Sequence, residues 1–278
     1  MRRAALLVLS LALVAAACKP PAPPAPPKPP PLDAKFQSFC TFSHALADDP
    51  IVFPGVPGAA HLHHFFGNVT TNAASTYASL RAAPGTTCQP AADLAAYWVP
   101  ALLINGTPIP PQAATFYYRG KSQTYQSVTA FPPNFRMIAG DQHAHDPQTG
   151  ITHWGCTSGA ATPSATVPTC PAGSQLKVVV NFANCWDGVN LDSADHKSHV
   201  AYSDWKGVCP ASHPVVLPAI QAFIRYPTVG GPNATLSSGS TLTMHADFFN
   251  AWDQTVLESR VTSCINAGIS CKPDGTPG

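Results

Sequence analysis

The stretch "STLTMHADFF", Ser240 to Phe249, alternates as an extended chain does. Successive side chains of a strand point to opposite faces. Leu242, Met244, Ala246 and Phe248 therefore share one side, and Thr243, His245, Asp247 and Phe249 the other. One face is apolar enough for a core; the other carries an imidazole and a carboxylate together. "QLKVVVNF", Gln175 to Phe182, is a β-branched run of the length of a buried strand. Frequent proline and glycine favour short strands joined by turns, and the pattern predicts strands over Tyr97–Ile104, Thr115–Arg119, Phe135–Ile138, Leu176–Phe182, Ser198–Tyr202, Ile220–Tyr226 and Thr241–Phe249.

Helical spacing begins just after this strand. From Ala251 onward, Trp252, Val256, Leu257, Val261, Cys264 and Ile265 recur on one face, with Asn250 placed to cap the N-terminus and Asp253 three residues on. Asp253 thus has a structural explanation. A short helix is expected around Ala74–Ala82. The sum is a mainly β chain, most simply a two-sheet, jelly-roll-like β-sandwich with one C-terminal amphipathic helix and long loops.

The N-terminus speaks of export. Met1-Arg2-Arg3 precedes the apolar run "AALLVLSLALVAAAC", of signal-peptide length and too short for a mature membrane span. Residues 1–17 read as a lipoprotein-type signal, with Ala15-Ala16-Ala17 before Cys18 as the lipidation site. Residues 18–35 form a spacer whose "KPPAPPAPPKPPP" holds polyproline II at roughly 3.1 Å per residue. Residues 36–278 remain as one globular domain, expected to be secreted, lipid-anchored at a bacterial envelope and monomeric. Without Arg2 and Arg3, thirteen basic residues face fourteen acidic ones, a balance with no footprint for nucleic acid or, the lipid anchor aside, a membrane surface. Setting Cys18 apart leaves eight cysteines, enough for four disulfides in an oxidising compartment. Short loops suggest Cys156 with Cys170 and Cys264 with Cys271. No spacing is the Cys-x-x-Cys of a zinc site.

The acidic inventory is thirteen aspartates and one glutamate, Glu258, on an exposed helix face, so carboxylate chemistry must rest on aspartate. Three clusters carry candidates. In "HLHHFFGN", His61 to Asn68, an extended chain sends His61 and His63 to one face and His64 to the other. Such a pair can ligate a metal, face a substrate or serve the fold. "CWDGVNLDSADHKSHVAY", Cys185 to Tyr202, packs Asp187, Asp192, Asp195, His196 and His199 between two strands. His199 is the inward candidate there, while His196 and Lys197 are expected to face water. His245 and Asp247 share a strand face, a site if that face is concave. His213 is a weaker addition, and "DQHAHD", Asp141 to Asp146, reads as a polar loop. A nucleophile elbow, a phosphate loop, His-Glu-x-x-His and a dinucleotide fingerprint are all missing.

Six blocks occur in order: "DPIVFPGVPGAAHLHHFFGN", "AYWVPAL", "FPPNFRMIAGD", "CWDGVNLDSADHKSHVAY", "CPASHPVVLPAI" and "HADFFNAWD". In this order the chain resembles the DUF1996 family of secreted proteins, from Phe36 to Cys264. The family occurs in bacteria and in fungi, often beside carbohydrate-binding modules. That company implies polysaccharide or cell-wall glycan as the substrate class. The leading expectation is a glycoside hydrolase or polysaccharide lyase. His61, His63, Asp187, His199, His213, His245 and Asp247 would be catalytic, and His64, Asp192, Trp186 and Tyr202 would contact substrate. The alternatives are a non-catalytic carbohydrate-binding module and a metal protein ligated by His61, His63, His199 and His245. A divalent metal is compatible with the sequence without being required by it.

Overall fold

The computed structural model describes residues 34–120, 127–158 and 163–278. The signal sequence, Cys18 and nearly all of the proline spacer lie outside the described residues. The chain passes through β1 (Lys35–Leu46), β2 (His63–Gly67), α1 (Tyr77–Arg81), β3 (Cys88–Gln89), β4 (Ala96–Pro100), β5 (Leu102–Ile104), β6 (Thr107–Pro108), β7 (Ala113–Arg119) and β8 (Arg136–Gly140). It continues through β9 (Thr152–Cys156), β10 (Leu176–Asn181), β11 (Cys185–Trp186), β12 (Val200–Ala201), β13 (Val215–Val216), β14 (Ala219–Tyr226), β15 (Ala234–Leu236), β16 (His245–Phe249) and α2 (Gln254–Arg260).

The largest sheet has ten strands in the order β8-β16-β4-β2-β1-β7-β14-β10-β9, with β3 also on β1; β12-β11-β13 and β15-β5-β6 form two smaller sheets. The large sheet is nearly barrel-like rather than clearly the two facing sheets of a sandwich. The reason lies in β1. Its first half, Lys35 to Thr41, pairs with β7, and its second half, Phe42 to Leu46, pairs with β2 across a register shift between Phe42 and His44. A long strand bent by a bulge can serve two sheets at once and join them.

Alternation sorts the apolar residues onto two faces. On the inner face Tyr97 stacks on Phe116 at 3.8 Å, Phe36 on Tyr118 at 4.7 Å, and the Trp252 indole N–H donates to the Tyr118 hydroxyl. Each such ring contributes about 1.5–3 kcal/mol by leaving water. Asp93 is sealed among them, accepting from Ser38 Oγ at 2.5 Å, Tyr97 Oη at 2.9 Å and Ala95 N at 3.0 Å. The outer face of β2, β4 and β16 is covered too: Ile51, Leu80 and Ala251 close over Phe65, Trp98 and Phe249. This second, smaller cluster buries β2 and β16 on both sides.

Several local expectations shift. The strand expected at Tyr97–Ile104 divides after Pro100 into β4 and β5, which join different sheets. Thr241–Thr243 forms a 3-10 turn instead of extending β16. α2 is capped by Asp253, whose carboxylate accepts from Val256 N. Asn250 instead accepts from Trp252 N and donates to the carbonyls of Phe131 and Pro132. The helical spacing beyond Arg260 continues as a π-helical segment, Val261–Asn266. The short helix is α1, held by a capping box between Thr76 and Ser79.

Four disulfides staple the fold: Cys40–Cys88, Cys156–Cys170, Cys185–Cys209 and Cys264–Cys271. They indicate folding in an oxidising or extracellular environment. Among the described residues no helix is long and apolar enough to cross a membrane.

Candidate metal centre

Register brings the outer faces of β2 and β16 together. β4 lies between them, with Pro100 opposite His63 and Trp98 opposite Asp247. Continuing that register sets His245 opposite Pro100, so His63 and His245 occupy one row, two strand spacings (about 9–10 Å) apart. Both side chains lean over Pro100, and their ring centroids stand 5.9 Å apart. His61, one alternation before His63, adds a third imidazole at 4.2 Å from His63 and 5.1 Å from His245. On the far side of β16, Gly140 of β8 faces His245 with φ +88°; a Cβ there would meet Met244 O at 2.7 Å and His245 Cα at 3.0 Å. Only glycine lets β8 approach the histidine this closely.

The hydrogen bonds decide which nitrogens face the site. His63 Nδ1 lies 2.9 Å from the Asp48 carbonyl and His245 Nδ1 2.9 Å from the Thr243 carbonyl. A carbonyl only accepts, so each Nδ1 carries the proton and each Nε2 keeps its lone pair. The Nε2 atoms of His61 and His63 are buried without a partner. One ring nitrogen from each of the three histidines falls within 4.8 Å of the others.

Two carboxylates form a second group that shares His63. Asp247 is 1 % exposed, and neither of its oxygens has a hydrogen-bond donor. Asp49 accepts from Ile51 N and Val52 N through one oxygen. Asp49, His63 and Asp247 each present a ligand atom within 4.8 Å of the other two. Asp48 next door is structural: its oxygens accept from Gly58 N and Ala73 N, tying down the loop that carries Asp49 and His61.

Electrostatics follow from this burial. Desolvation lowers His61 to about 4 and His245 to about 3, and puts His63 well below its ordinary value. All three imidazoles are therefore neutral near pH 7, the form that ligates metals. Burial, then the neighbouring Asp49, pushes Asp247 well above the usual carboxylate range. Asp49 is raised by burial as well, against the pull of its backbone donors and of the Trp98 indole. Two carboxyls this close, Asp247 without any donor, lack a positive charge between them.

The cluster opens to solvent through a cavity of about 340 Å³ floored by His245, Asp247 and Asp49, with His143, His196 and Lys197 on its walls. His196, in the left-handed region at φ 58°, is held there by Asp192, which accepts from its Nδ1 at 2.8 Å and pairs with Arg136 at 3.7 Å. His196 and Lys197, expected to face water, are half-buried and line this solvent-open cavity.

Of the expected site residues, His61, His63, His245 and Asp247 converge. The others take local roles. His199 is buried with both nitrogens engaged, Nδ1 with Ser193 Oγ and Nε2 with the Arg136 carbonyl, so it has no lone pair to offer the metal cluster. His213 lies on the surface against Ser212 and the Ser198 carbonyl. Asp187 closes a turn by accepting from Val189 N, Asn190 N and Asn190 Nδ2. Trp186 donates to the Asn190 carbonyl and Tyr202 to the Asn181 carbonyl. His64 points to the opposite face from His63 and stands edge-on to Phe42. A third grouping, Cys40, Cys88 and Asp93, offers no thiolate because the cysteines are bonded to each other.

Asp49 and Lys197 were not among the expected site residues. Asp49 opens the same sequence block that holds His61 and His63, a proximity that could have flagged it. Lys197 had no comparable signal. The ordered blocks are matched by DUF1996, described as a domain of unknown function, over residues 49–252. The chain belongs to the DUF1996 family. That span holds every member of the candidate cluster, from Asp49 to Asp247, and both cavity-wall loops. No curated protein and no solved structure matches the chain.

Proposed function

We propose that this DUF1996 chain is a metal-dependent enzyme of the cell exterior. A first-row divalent ion would be held by His61, His63, His245 and Asp247, with Asp49 beside it, and the target would be a polymeric glycan. One observation carries the reading: a fully buried carboxylate without a single donor lies within ligand distance of His63, whose unpartnered Nε2 also belongs to a cluster of three neutral imidazoles. An isolated ionised carboxylate is among the most costly groups to bury. A cation at that point satisfies Asp247 and the imidazole nitrogens together, and a nitrogen–oxygen donor set without sulfur suits zinc, iron, nickel or copper. The backbone carbonyls on Nδ1 of His63 and His245 are the outer partners that fix ligand orientation in such sites.

Bound metal would supply a water acidic enough to ionise near neutral pH, or a Lewis acid for a sugar carboxylate. Asp49, anchored by two N–H groups, would take the proton. Lys197, His143 and His196 offer donors to substrate hydroxyls at the mouth. Hydrolysis and elimination both fit these groups. The proposal extends to Cys18 as the lipid anchor, with the proline spacer holding a monomeric domain clear of the envelope.

Elemental analysis of the full chain, purified without a His-tag, tests the centre. About one equivalent of a transition metal is expected, falling below about a tenth in His63→Ala and Asp247→Ala. A metal-free wild type that takes up none on reconstitution ends the reading. If metal-loaded protein releases neither reducing ends nor unsaturated products from a broad glycan panel, the enzymatic part fails.

A further inference from the structure

A second surface lies on the other arc of the sheet. The outward positions of β1, β7, β14 and β10 align in rows by register: Gln37, Tyr117 and Gln221; Phe39, Thr115 and Phe223; Thr41, Ala113, Arg225 and Lys177. Lys35 and Arg119 are paired at the far end of the same face. Across these strands the outward side chains include four Lys or Arg and no Asp or Glu, in a chain whose basic and acidic totals are 15 and 14. The charge is segregated although the molecule is balanced. A groove of about 570 Å³ runs over this face, lined by Gln37, Phe39, Gln89, Tyr117, Lys177 and Arg225 among others.

The aromatic rings position the cations. Lys177 Nζ sits 5.8 Å from the Phe223 ring centroid, the Arg225 guanidinium 6.0 Å from that of Phe39, and Tyr117 meets Phe223 edge-on at 5.4 Å. Ring faces occupied in this way hold the charged groups in place and leave little open π-surface for a nucleic-acid base. The Gln37 and Gln89 side chains line the groove and carry amides that can serve hydroxyls. We infer that this groove is a second glycan-binding surface, separate from the metal cluster, and that it takes an anionic polysaccharide whose acidic groups sit on Lys177 and Arg225. It would hold an acidic polymer on the protein while the cavity over β16 works elsewhere on the chain.

Binding of the full chain to polygalacturonate, to a phosphate-bearing teichoic acid and to neutral dextran tests this. One or both anionic polymers should bind more tightly than dextran, less so as salt rises, which also identifies the acidic group. The double variant Lys177→Gln/Arg225→Gln should lose about tenfold or more in affinity, while the charge-conserving Lys177→Arg/Arg225→Lys keeps it. Equal binding to dextran, or undiminished binding by the glutamine variant, overturns the proposal. Binding of oligothymidylate as tight as that of either glycan would also overturn it, in favour of nucleic acid. Affinity should survive chelation of the metal and the His63→Ala substitution. If chelation abolishes it, the polymer is held at the metal centre and this inference fails.

Discussion

Substituting Asp247→Asn should move stability in opposite directions with and without metal. Asp247 is fully buried, its two oxygens lack donors, and Asp49 lies close by. In metal-free protein such a carboxylate is a liability: an unsatisfied buried polar group costs about 1–3 kcal/mol, and a charged one more. Asparagine keeps the shape and avoids the cost of either burying the charge or binding a proton at neutral pH, so the metal-free variant should be more stable than the wild type by about 1–3 kcal/mol. For a domain of this size each kcal/mol moves Tm by about 2–4 °C, giving a rise of about 2–12 °C. Metal reverses the order. Free ion at about a hundred times Kd stabilises the wild type by about 2.7 kcal/mol, and the variant, having lost an anionic ligand, gains little. Thermal unfolding followed by circular dichroism near neutral pH, in EDTA and then in excess zinc, reads both effects. A variant that is less stable than the wild type in EDTA and shifts equally with zinc would refute the reasoning, since Asp247 would then be a structural group.

Two further outcomes follow from other parts of the molecule. Burial raises Asp93 from 3.8 to about 7, so the folded state holds its proton while the unfolded chain has released it. The stability this group contributes is complete below about pH 4 and is lost as pH rises towards 7, up to about 4 kcal/mol at 1.36 per unit. Asp93→Asn mimics the protonated form and should flatten that loss; urea midpoints of both proteins from pH 4 to 7 should diverge, and parallel curves would contradict it. Asp187→Ala and His213→Ala, which break only turn and surface hydrogen bonds, should leave metal content unchanged and turnover within about twofold. A loss of bound metal in either would show that the centre extends beyond the five residues described.

Much of the site was legible as pairs. The one-residue alternation placed His245 with Asp247 and His61 with His63, because strand periodicity is a property of the local backbone. What alternation does not carry is whether a face is covered. The face of β16 that carries His245 and Asp247, left open by the sequence, is buried at both residues. Density of acids and imidazoles did not mark membership of the candidate cluster at Asp187 and His199, whose polar atoms hydrogen-bond to Asn190, Ser193 and Arg136.

By itself, the amino-acid sequence determined the β-rich class, the family, an oxidising setting through its even count of eight cysteines beyond Cys18, and which histidines share a strand face. These are local or compositional properties. The tertiary structure alone decided that β4 lies between β2 and β16, and that Asp49 from a loop joins residues nearly two hundred positions away. It also decided that the opposite arc gathers cations without acids. Strand neighbours are chosen by the closing of the whole sheet around its core, an energy summed over many distant contacts that no single stretch of chain encodes.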